Sequence, residues 1–430
     1  MGLVPFIPII ILFVLFFLRV PIAYGLLIAT FVYFVFINDT MPVAQIMQTM
    51  VASTESFPYL AIPFFACAGV VFNYSGISEK LIKLAVLLLG HLRGGMGQVN
   101  VLLAAMMGGL SGSSNADAAM QTKIIVPEME KLGYGKGFST VVTAASSVIT
   151  PIIPPGIILI LYAVAANVSI SKMFFAGYIP GLVIMVALMV LVSFISRKRG
   201  YAPSRDKRAT FKEISRQLLD SIWALILPFG ILLGLRYGMF TPTEAGAISV
   251  LYAVLIGAFI YRKLQWKDVP AILLESVEST AGVMFIIAAA NAFGSYLTWE
   301  RIPITVSEAL VGNISDPYLM LFVINVLLLI VGCFFEGGAA MILLAPLLIP
   351  VVSSMGIDLI HFGILMCINL TIAGFTPPFG TMMFITTSIA KVRMEEYVKE
   401  SWPFIVLFIG ILFLLSYAPK IVLFLPNLLS

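Results

Sequence analysis

Five prolines recur in this sequence at a constant spacing of 223 residues, which is more often than chance placement of its 24 prolines would give. Proline lacks a backbone donor and interrupts a helix, so repeated prolines indicate repeated helix breaks. The chain is therefore predicted to contain two copies of one structural unit. The matched pairs are Pro5 and Pro228, Pro127 and Pro350, Pro154 and Pro377, Pro155 and Pro378, and Pro180 and Pro403.

Long apolar runs fill both copies. Hydrophobic residues make up 60% of the chain and charged residues only 11%, which excludes an ordinary water-soluble globule. An all-α polytopic membrane protein is predicted, because helices satisfy their own backbone in lipid. The N-terminal run is interpreted as a first span, since its first positive charge, Arg19, follows the apolar residues and no small-residue cleavage site comes after it.

One segment in each copy, 97–127 in the first and 320–350 in the second, carries a polar or glycine-rich interruption. If both enter the bilayer and return as re-entrant helical hairpins, each copy crosses the membrane five times. An odd number of crossings gives an inverted structural repeat. The positive-inside rule supports this topology: with the loop 196–217 in the cytoplasm, 20 of the 25 basic residues, Arg19 included, fall on that side.

The first interruption reads "GGLSGSSNADAAM" and begins at Gly108. Non-helical backbone at bilayer depth persists only where protein buries it or where it lines a wet cavity. The hydroxyl, amide and carbonyl oxygens of this segment are hard ligands suited to a small cation. Asp117 is its lone carboxylate, and two roles stay open for it: holding a cation, or capping the second limb of the hairpin.

The second interruption lies in "CFFEGGAAMILLAPLLIP", which offers mainly backbone carbonyls. Each hairpin is accompanied by a proline-broken span, "SSVITPIIPPGIIL" (146–159) or "TIAGFTPPFGTMMF" (371–384). Consecutive prolines remove amide donors and free the carbonyls upstream, around Thr150 and Gly374–Thr376. Paired discontinuous helices of this kind are typical of cation coordination in secondary transporters.

Motifs for enzymatic chemistry are absent from the sequence. It has no phosphate loop, no dinucleotide fingerprint, no Ser-His-Asp constellation and no metal-ligand cluster. The chain is therefore not expected to be an enzyme, and any active transport must use an ion gradient.

Taken in order, "GGLSGSSNADAAM", "TPIIPPG", "EGGAAMILLAPLLIP" and "FTPPFG" resemble the large membrane subunit of tripartite ATP-independent periplasmic (TRAP) transporters. The resemblance covers essentially the whole chain. It implies an elevator-type transporter of the ion transporter superfamily, with a scaffold and a moving transport domain, in the bacterial inner membrane. It also implies sodium as the coupling ion, a small four-helix membrane subunit and a periplasmic substrate-binding protein as partners, and an organic acid such as sialic acid or a C4-dicarboxylate as substrate.

The resemblance also assigns site residues. One sodium site would involve Ser113, Ser114, Asn115, Thr150, Pro151 and Pro154. A second would involve Gly337, Gly338, Gly374 and Thr376. Substrate would lie between the two interruptions, near Ser111, Asp117, Pro155 and Pro378.

A division into domains follows when the repeat is mapped onto this scheme. Short amphipathic stretches at 44–54, 78–92, 266–276 and 303–314 would lie in the membrane interface as arm helices. The predicted parts are scaffold helices 1–55, transport-domain half 56–196 with the cytoplasmic-side hairpin 97–127, the basic cytoplasmic loop 197–221, scaffold helices 222–276, and transport-domain half 277–430 with the periplasmic-side hairpin 320–350.

Two other classes of protein stay open at this point. A self-sufficient dicarboxylate or citrate sodium symporter of the same superfamily would need no partner. A membrane-embedded enzyme or assembly scaffold would need catalytic acids, histidines or cysteines at membrane depth, which the sequence does not cluster.

Overall fold

Helices account for the regular structure in the residues described by this computed structural model, 4–18, 20–38, 42–205 and 207–429. The predicted cytoplasmic position of Arg19 lies outside these residues. The first copy contains α1 (Ile7–Phe17), α2 (Ile22–Val32), α3 (Ala44–Thr54), α4 (Ala61–Ser75), α5 (Ile77–Leu89), α6 (Gly95–Ser111), α7 (Ser114–Lys131), α8 (Lys136–Ser146), α9 (Ile157–Ala165) and α10 (Ile170–Arg199). The second contains α11 (Phe211–Arg236), α12 (Pro242–Leu255), α13 (Val269–Trp299), α14 (Ile302–Asn313), α15 (Pro317–Gly332), α16 (Gly337–Ser354), α17 (Leu359–Phe375), α18 (Thr381–Ala390), α19 (Met394–Tyr417) and α20 (Pro419–Leu429).

The helix bounds follow the repeat that the prolines predict. Helices α7 and α16 both begin and end 223 residues apart, and α8 and α17 begin at that spacing. A π-helical turn follows α2 at Tyr33–Ile37 and another follows α12 at Ile256–Ile260. Equivalent positions in the two copies therefore have equivalent local structure.

Seven helices of the described part of the chain are long and apolar enough to cross a membrane, by length and composition. Only 22–50% of the most apolar stretch of each is buried inside the protein, so much of their apolar surface faces outward. That surface suits lipid as its solvent. Helix α16, predicted as a hairpin limb, is one of the seven, so length alone does not separate a limb from a crossing.

The two copies pack against each other through equivalent pairs of helices, as expected for two copies related by a two-fold axis. Helix α4 of the first copy packs on α12 of the second, and the equivalent pair, α13 and α2, packs in the same way. Helix α9 packs on α16, and the equivalent α18 packs on α7. Each of these two contacts is therefore made twice, as at a self-complementary interface between identical subunits.

The first helix pair, α6 and α7, has its outer end beside the C-terminal end of α10. A Cβ added to Gly94 would lie 2.3 Å from the Ser196 side chain. At the end of α7, the ring of Tyr134 stacks on Tyr201 with centroids 4.3 Å apart. The pair runs antiparallel, because Asn100 on α6 contacts Met129 on α7.

The second pair, α15 and α16, has its outer end at the opposite end of the molecule. Tyr318 at the start of α15 packs against Tyr417 at the end of α19, with ring centroids 5.8 Å apart. The other end of α19 is the one near α10, where Arg199 donates two hydrogen bonds to Glu400 at 2.8 and 3.1 Å. Since α19 has 24 residues, about 36 Å, the two helix pairs enter from opposite ends.

The chain between α10 and α11 contacts the outer end of the first helix pair through Ala202, Ser204 and Arg205. The backbone N–H groups of Ser204 and Arg205 both donate to the carbonyl of Gly90, at 2.9 and 3.1 Å. Tyr134 donates its hydroxyl to the carbonyl of Ala202 at 3.3 Å. The segment that joins the two copies thus also fastens the base of this helix pair.

Several predicted boundaries need correction. The basic loop predicted at 197–221 is shorter, because α10 continues through Arg199 and α11 begins at Phe211. The stretch 266–276 is not a separate arm, since the residues from Val269 run on into the 31-residue helix α13. Helices α4 and α13 pack chiefly against α2, α3 and α12, so their packing does not follow the predicted division at 56 and 277.

We expect surface labelling to place the outer ends of the two helix pairs on opposite sides of the membrane. In a background without Cys67, Cys333 and Cys367, single cysteines would replace exposed residues at the outer ends: Lys131, Ser315 and Ser353. An impermeant thiol reagent should reach Lys131→Cys from the cytoplasm and both serine replacements from the periplasm. Labelling of Ser315→Cys and Ser353→Cys from different sides would contradict the hairpin topology.

Candidate functional site

A central cavity of about 340 Å³ lies where the helix breaks of the two copies meet. The first residues of four helices, α7, α9, α16 and α18, face it together with the last turns of α17 and one side of α13. Its lining residues are Gly112, Ser113, Ser114, Asn115, Pro151, Ile157, Ile158, Leu161, Ser279, Gly282, Val283, Ile286, Glu336, Gly337, Gly338, Ala339, Ile342, Leu370, Thr371, Gly374, Thr381 and Met382.

The first tip, residues 112–115, reverses the chain between α6 and α7. Gly112 has a left-handed backbone, with φ of +59°, and a Cβ there would lie 2.2 Å from the carbonyl oxygen of Pro155. Only glycine fits this approach without strain. Ser113 caps α7 by accepting a hydrogen bond from the N–H of Ala116, at 3.4 Å.

The first break, residues 147–156, separates α8 from α9 and packs directly on the first tip. The N–H of Ile157 donates to the carbonyl of Gly112 at 3.4 Å. A Cβ on Gly156 would lie 1.8 Å from the carbonyl oxygen of Pro151. Prolines in this break remove amide donors and so leave carbonyls without their helical partners. Because Gly156 has no side chain, its backbone can pack against the carbonyl of Pro151.

The second tip, residues 336–339, joins the cavity from the other copy. Glu336 caps α16 by accepting a hydrogen bond from the N–H of Ala339 at 3.0 Å, as Ser113 caps α7. Ile158 lies 3.6 Å from the position of a Cβ on Gly337, so the second tip faces the helix that follows the first break. Glu336 is the one charged side chain among the lining residues.

The second break, residues 376–380, separates α17 from α18. The N–H of Thr376 donates to the carbonyl of Ala373 at 3.0 Å, which closes the last turn of α17. The carbonyl of Phe375 accepts the hydroxyl of buried Tyr397 at 3.1 Å. Gly374 faces the cavity, one turn before the break.

One hydrogen bond joins the first tip to the helix after the second break. Thr381 donates its hydroxyl to Oδ1 of Asn115 at 3.1 Å. The equivalent positions, at a spacing of 223, are Ile158 and Gly338, which cannot form a side-chain hydrogen bond. Ile158 instead lies near Gly337, so the contact recorded there for the second tip is apolar.

Asp117 points away from the cavity. It is 1% exposed, and its Oδ2 atom accepts hydrogen bonds from Thr150 at 2.7 Å and from Gln121 at 2.6 Å. Its place in the first turn of α7 suits the helix dipole. In this structure the carboxylate supports the first break and does not line the space between the tips.

The structure brings together half of the residues named from the sequence. Those that line the cavity are Ser113, Ser114, Asn115, Pro151, Gly337, Gly338 and Gly374. The others do not line it: Ser111, Asp117, Thr150, Pro154 and Pro155 are buried, Thr376 is half-buried and Pro378 is exposed.

Sequence reasoning missed the wall formed by α13. Its lining residues are spaced three or four apart on one helix face: Ser279, Gly282, Val283 and Ile286. This spacing gives a polar and small-residue stripe, which could have been found by periodicity. It also missed Thr371 and Thr381, the hydroxyls that flank the second break.

The cavity can hold both signs of charge. Four helix N-termini direct partial positive charge toward it, which favours an anion such as a carboxylate. Hydroxyl, amide and carbonyl oxygens at the tips and breaks favour a hard cation. Among the described residues no group of three or more His, Cys, Asp or Glu side chains could hold a metal ion, so a cation would depend on neutral oxygens and at most on the carboxylate of Glu336.

Two helical copies whose breaks meet at one polar cavity define a polytopic membrane transport protein. A family model described as "Tripartite ATP-independent periplasmic transporter, DctM component" matches residues 9–421. The chain belongs to this family of TRAP transporter components, as its motifs predict.

Curated relatives have similar sequences over nearly the whole chain. The sialic acid TRAP transporter permease protein SiaT of Haemophilus influenzae is 35% identical over 416 residues, which are 97% of this chain and 67% of SiaT. The 2,3-diketo-L-gulonate TRAP transporter large permease protein YiaN of Escherichia coli is 36% identical over 403 residues, 94% of each chain. Both relatives are named as transporter permeases.

A solved structure has a similar fold. The YdaH transporter of Alcanivorax borkumensis superposes with a TM-score of 0.62, at 14% sequence identity, over 88% of each chain. At this identity the likeness concerns the fold alone.

The close packing of the first tip on the first break predicts a difference between two left-handed glycines. Gly133→Ala, where φ is +82° and no atom lies within 4 Å of an added Cβ, should cost about 1–2 kcal/mol of stability. Gly112→Ala should cost clearly more, because its Cβ would also collide with Pro155. Thermal unfolding midpoints in detergent measure both, and equal shifts would contradict the packing.

The α13 wall predicts that filling the cavity blocks transport without unfolding the protein. Gly282→Leu should lower uptake by about tenfold or more, because a leucine side chain would occupy cavity space that a transported solute needs. Gly294→Leu is the matched control: it lies on the same helix, has equal room for a Cβ and does not line the cavity. Equal uptake by the two variants would show that α13 does not form part of the site.

Proposed function

We propose that this chain is the large membrane subunit of a bacterial inner-membrane system for sodium-coupled secondary active uptake of a small organic acid. The observation that carries the proposal is the convergence of two tips and two breaks on one cavity that offers neutral oxygens and helix N-termini together. Such a cavity suits a cation and an anion at once, which is what symport of sodium with a carboxylate requires.

Sodium is the only ligand of metal type in this proposal. The first tip and first break would supply one site, with the side-chain and carbonyl oxygens of Ser113, Ser114, Asn115, Thr150 and the 151–154 stretch. The second tip and second break would supply another through Gly337, Gly338, Gly374 and Thr376. No organic cofactor is required, because the ion gradient provides the driving force.

The energy available is sufficient for nutrient uptake. Each net positive charge that moves inward gains about 2.3 kcal/mol per 100 mV of membrane potential. That free energy corresponds to a concentration ratio of roughly fifty for the substrate.

The substrate class follows from the positive ends of four helices and from the relatives. Sialic acid and 2,3-diketo-L-gulonate, which appear in the names of SiaT and YiaN, both carry a carboxylate. A carboxylate bound between the tips would be stabilised by the N-termini of α7 and α16. Buried Ser111, Asp117 and Pro155 would shape this site indirectly, as would Pro378, which is exposed in the second break. A sialic acid or C4-dicarboxylate type of substrate fits the proposal.

Movement would follow an elevator mechanism with two re-entrant hairpins. Helix α13 provides one wall of the cavity and packs on α2, α3 and α4, whereas the tips and breaks belong to the other group of helices. A site between two such groups can change its exposure when one group slides past the other.

A small four-helix membrane subunit and a periplasmic substrate-binding protein are the proposed partners, in keeping with the tripartite family. The alternative is a self-sufficient dicarboxylate or citrate sodium symporter. Sodium-dependent uptake by vesicles that contain this chain alone would select the alternative.

We expect the first tip to set the sodium requirement. Ser113→Ala and Asn115→Ala should each raise the sodium concentration needed for half-maximal uptake in proteoliposomes that contain all three components, because each removes a cavity-facing oxygen. Uptake measured with potassium in place of sodium gives the sodium-independent background.

Ser169→Ala is the matched control for Ser113→Ala. Ser169 caps α10, where it accepts a hydrogen bond from the N–H of Lys172 at 3.3 Å, and it is not a lining residue of the cavity. Both variants lose a cap worth about 1 kcal/mol, but only Ser113→Ala should change the sodium response. Unchanged sodium titrations for Ser113→Ala and Asn115→Ala would refute the sodium site at the first tip.

A further inference from the structure

Asp117 is the one Asp, Glu, Lys or Arg side chain that is buried among the residues described by the structure. A carboxylate in hydrocarbon surroundings is costly unless a positive charge or several donors compensate it. Thr150 and Gln121 both donate hydrogen bonds to Oδ2, and the Ser147 side chain also lies beside the carboxylate. The Oδ1 atom is buried without a hydrogen-bond partner, and no salt bridge of the described residues includes Asp117.

Thr150 connects this carboxylate to the first break. Its hydroxyl carries a single proton, and the Oδ2 atom of Asp117 at 2.7 Å is a closer acceptor than the carbonyl of Ala104 at 3.4 Å. When the proton is given to Asp117, the lone pairs of the Thr150 oxygen point elsewhere. These lone pairs are then available to a cation. The adjacent negative charge of Asp117 also makes the Thr150 oxygen a better ligand for a cation.

We propose that Asp117 is a positioning residue and the counter-charge for the cation bound at the first tip and first break, and that it acts through Thr150 without contacting the cation. This inference rests on the proposed sodium-coupled function. The sequence left two roles open for Asp117, cation binding and helix capping. The structure favours a third role, in which the carboxylate orients Thr150, a proposed ligand of the cation. Outer groups that orient and polarise the ligands of a metal ion typically change its affinity tenfold to a hundredfold.

The arrangement explains why the carboxylate is tolerated where it lies. A bound cation would compensate the buried charge, and the charge would in turn hold the cation in a low-dielectric setting. If Asp117 only capped α7, its position in the first turn of that helix would be sufficient. A capping role would not explain why the carboxylate is buried or why it accepts a hydrogen bond from Thr150.

The test compares sodium dependence in charge and hydroxyl variants of the assembled transporter. Asp117→Asn keeps the shape and the acceptor for Thr150 but removes the charge. We expect it to raise the sodium concentration for half-maximal uptake by about tenfold to a hundredfold, and to reduce the sodium-induced rise in thermal unfolding midpoint measured without substrate. The midpoint in potassium should be no lower than that of the wild type, because the variant removes a buried charge that no sodium ion compensates there.

Hydroxyl variants test whether the effect passes through Thr150. Thr150→Val should shift the sodium response as Asp117→Asn does, and Thr150→Ser should restore it. The double variant should be no weaker than Thr150→Val alone, because residues that act through one contact are not additive. Thr122→Val is the matched control: this buried threonine bonds only to the carbonyl of Ala118, at 2.6 Å, and should leave the sodium response unchanged.

Failure of this inference can be told from failure of the proposed function. If the wild type shows no sodium-dependent uptake and no sodium-induced stabilisation, the sodium-coupled function itself is refuted. If the wild type responds to sodium and Asp117→Asn responds equally, the counter-charge role is overturned. Additive effects in the double variant would overturn the route through Thr150.

Discussion

The backbone hydrogen bonds that are missing at four places, two tips and two breaks, are the constraint on which the rest of the structure depends. In hydrocarbon an unpaired carbonyl or amide costs several kcal/mol, so each gap must be covered by protein or used for a ligand. Here the first tip covers the first break: the carbonyl of Gly112 accepts from Ile157, and its missing side chain lets Pro155 approach. Both tips and the helix ends beside both breaks line one cavity.

The two copies solve this problem with different side chains. The first tip uses Ser113 as its cap and a polar bond from Asn115 to the far copy. The second tip uses the Glu336 carboxylate as its cap, and its Phe335 ring stacks on Phe16 of α1 with centroids 4.3 Å apart. The two copies therefore share backbone geometry at these positions, while side-chain differences give the two ends of the cavity distinct chemistry, which suits the proposed binding of two unlike solutes.

Much of the site could be predicted because proline, glycine and hydroxyl residues mark helix breaks locally. The spacing of 223 residues anticipated the matching bounds of α7 and α16, and the residues of both tips do line the cavity. Thr150, Pro154 and Pro378 do not line the cavity, and the reason is physical. A freed carbonyl near a proline pair can point toward the cavity or into the packing, and the sequence carries no information on which side neighbouring helices cover.

The sequence by itself determined that the chain is a membrane protein, that it is built from two copies, and which short segments interrupt its helices. These features are readable because hydropathy and the effect of proline on a helix both act over a few residues. Tertiary structure alone decided that α13 forms a cavity wall, that Thr381 reaches Asn115, and that the Asp117 carboxylate turns away from the cavity toward Thr150. Those outcomes depend on how helices distant in the chain pack together, and the direction of a side chain at a helix end is fixed only by the neighbours that packing supplies.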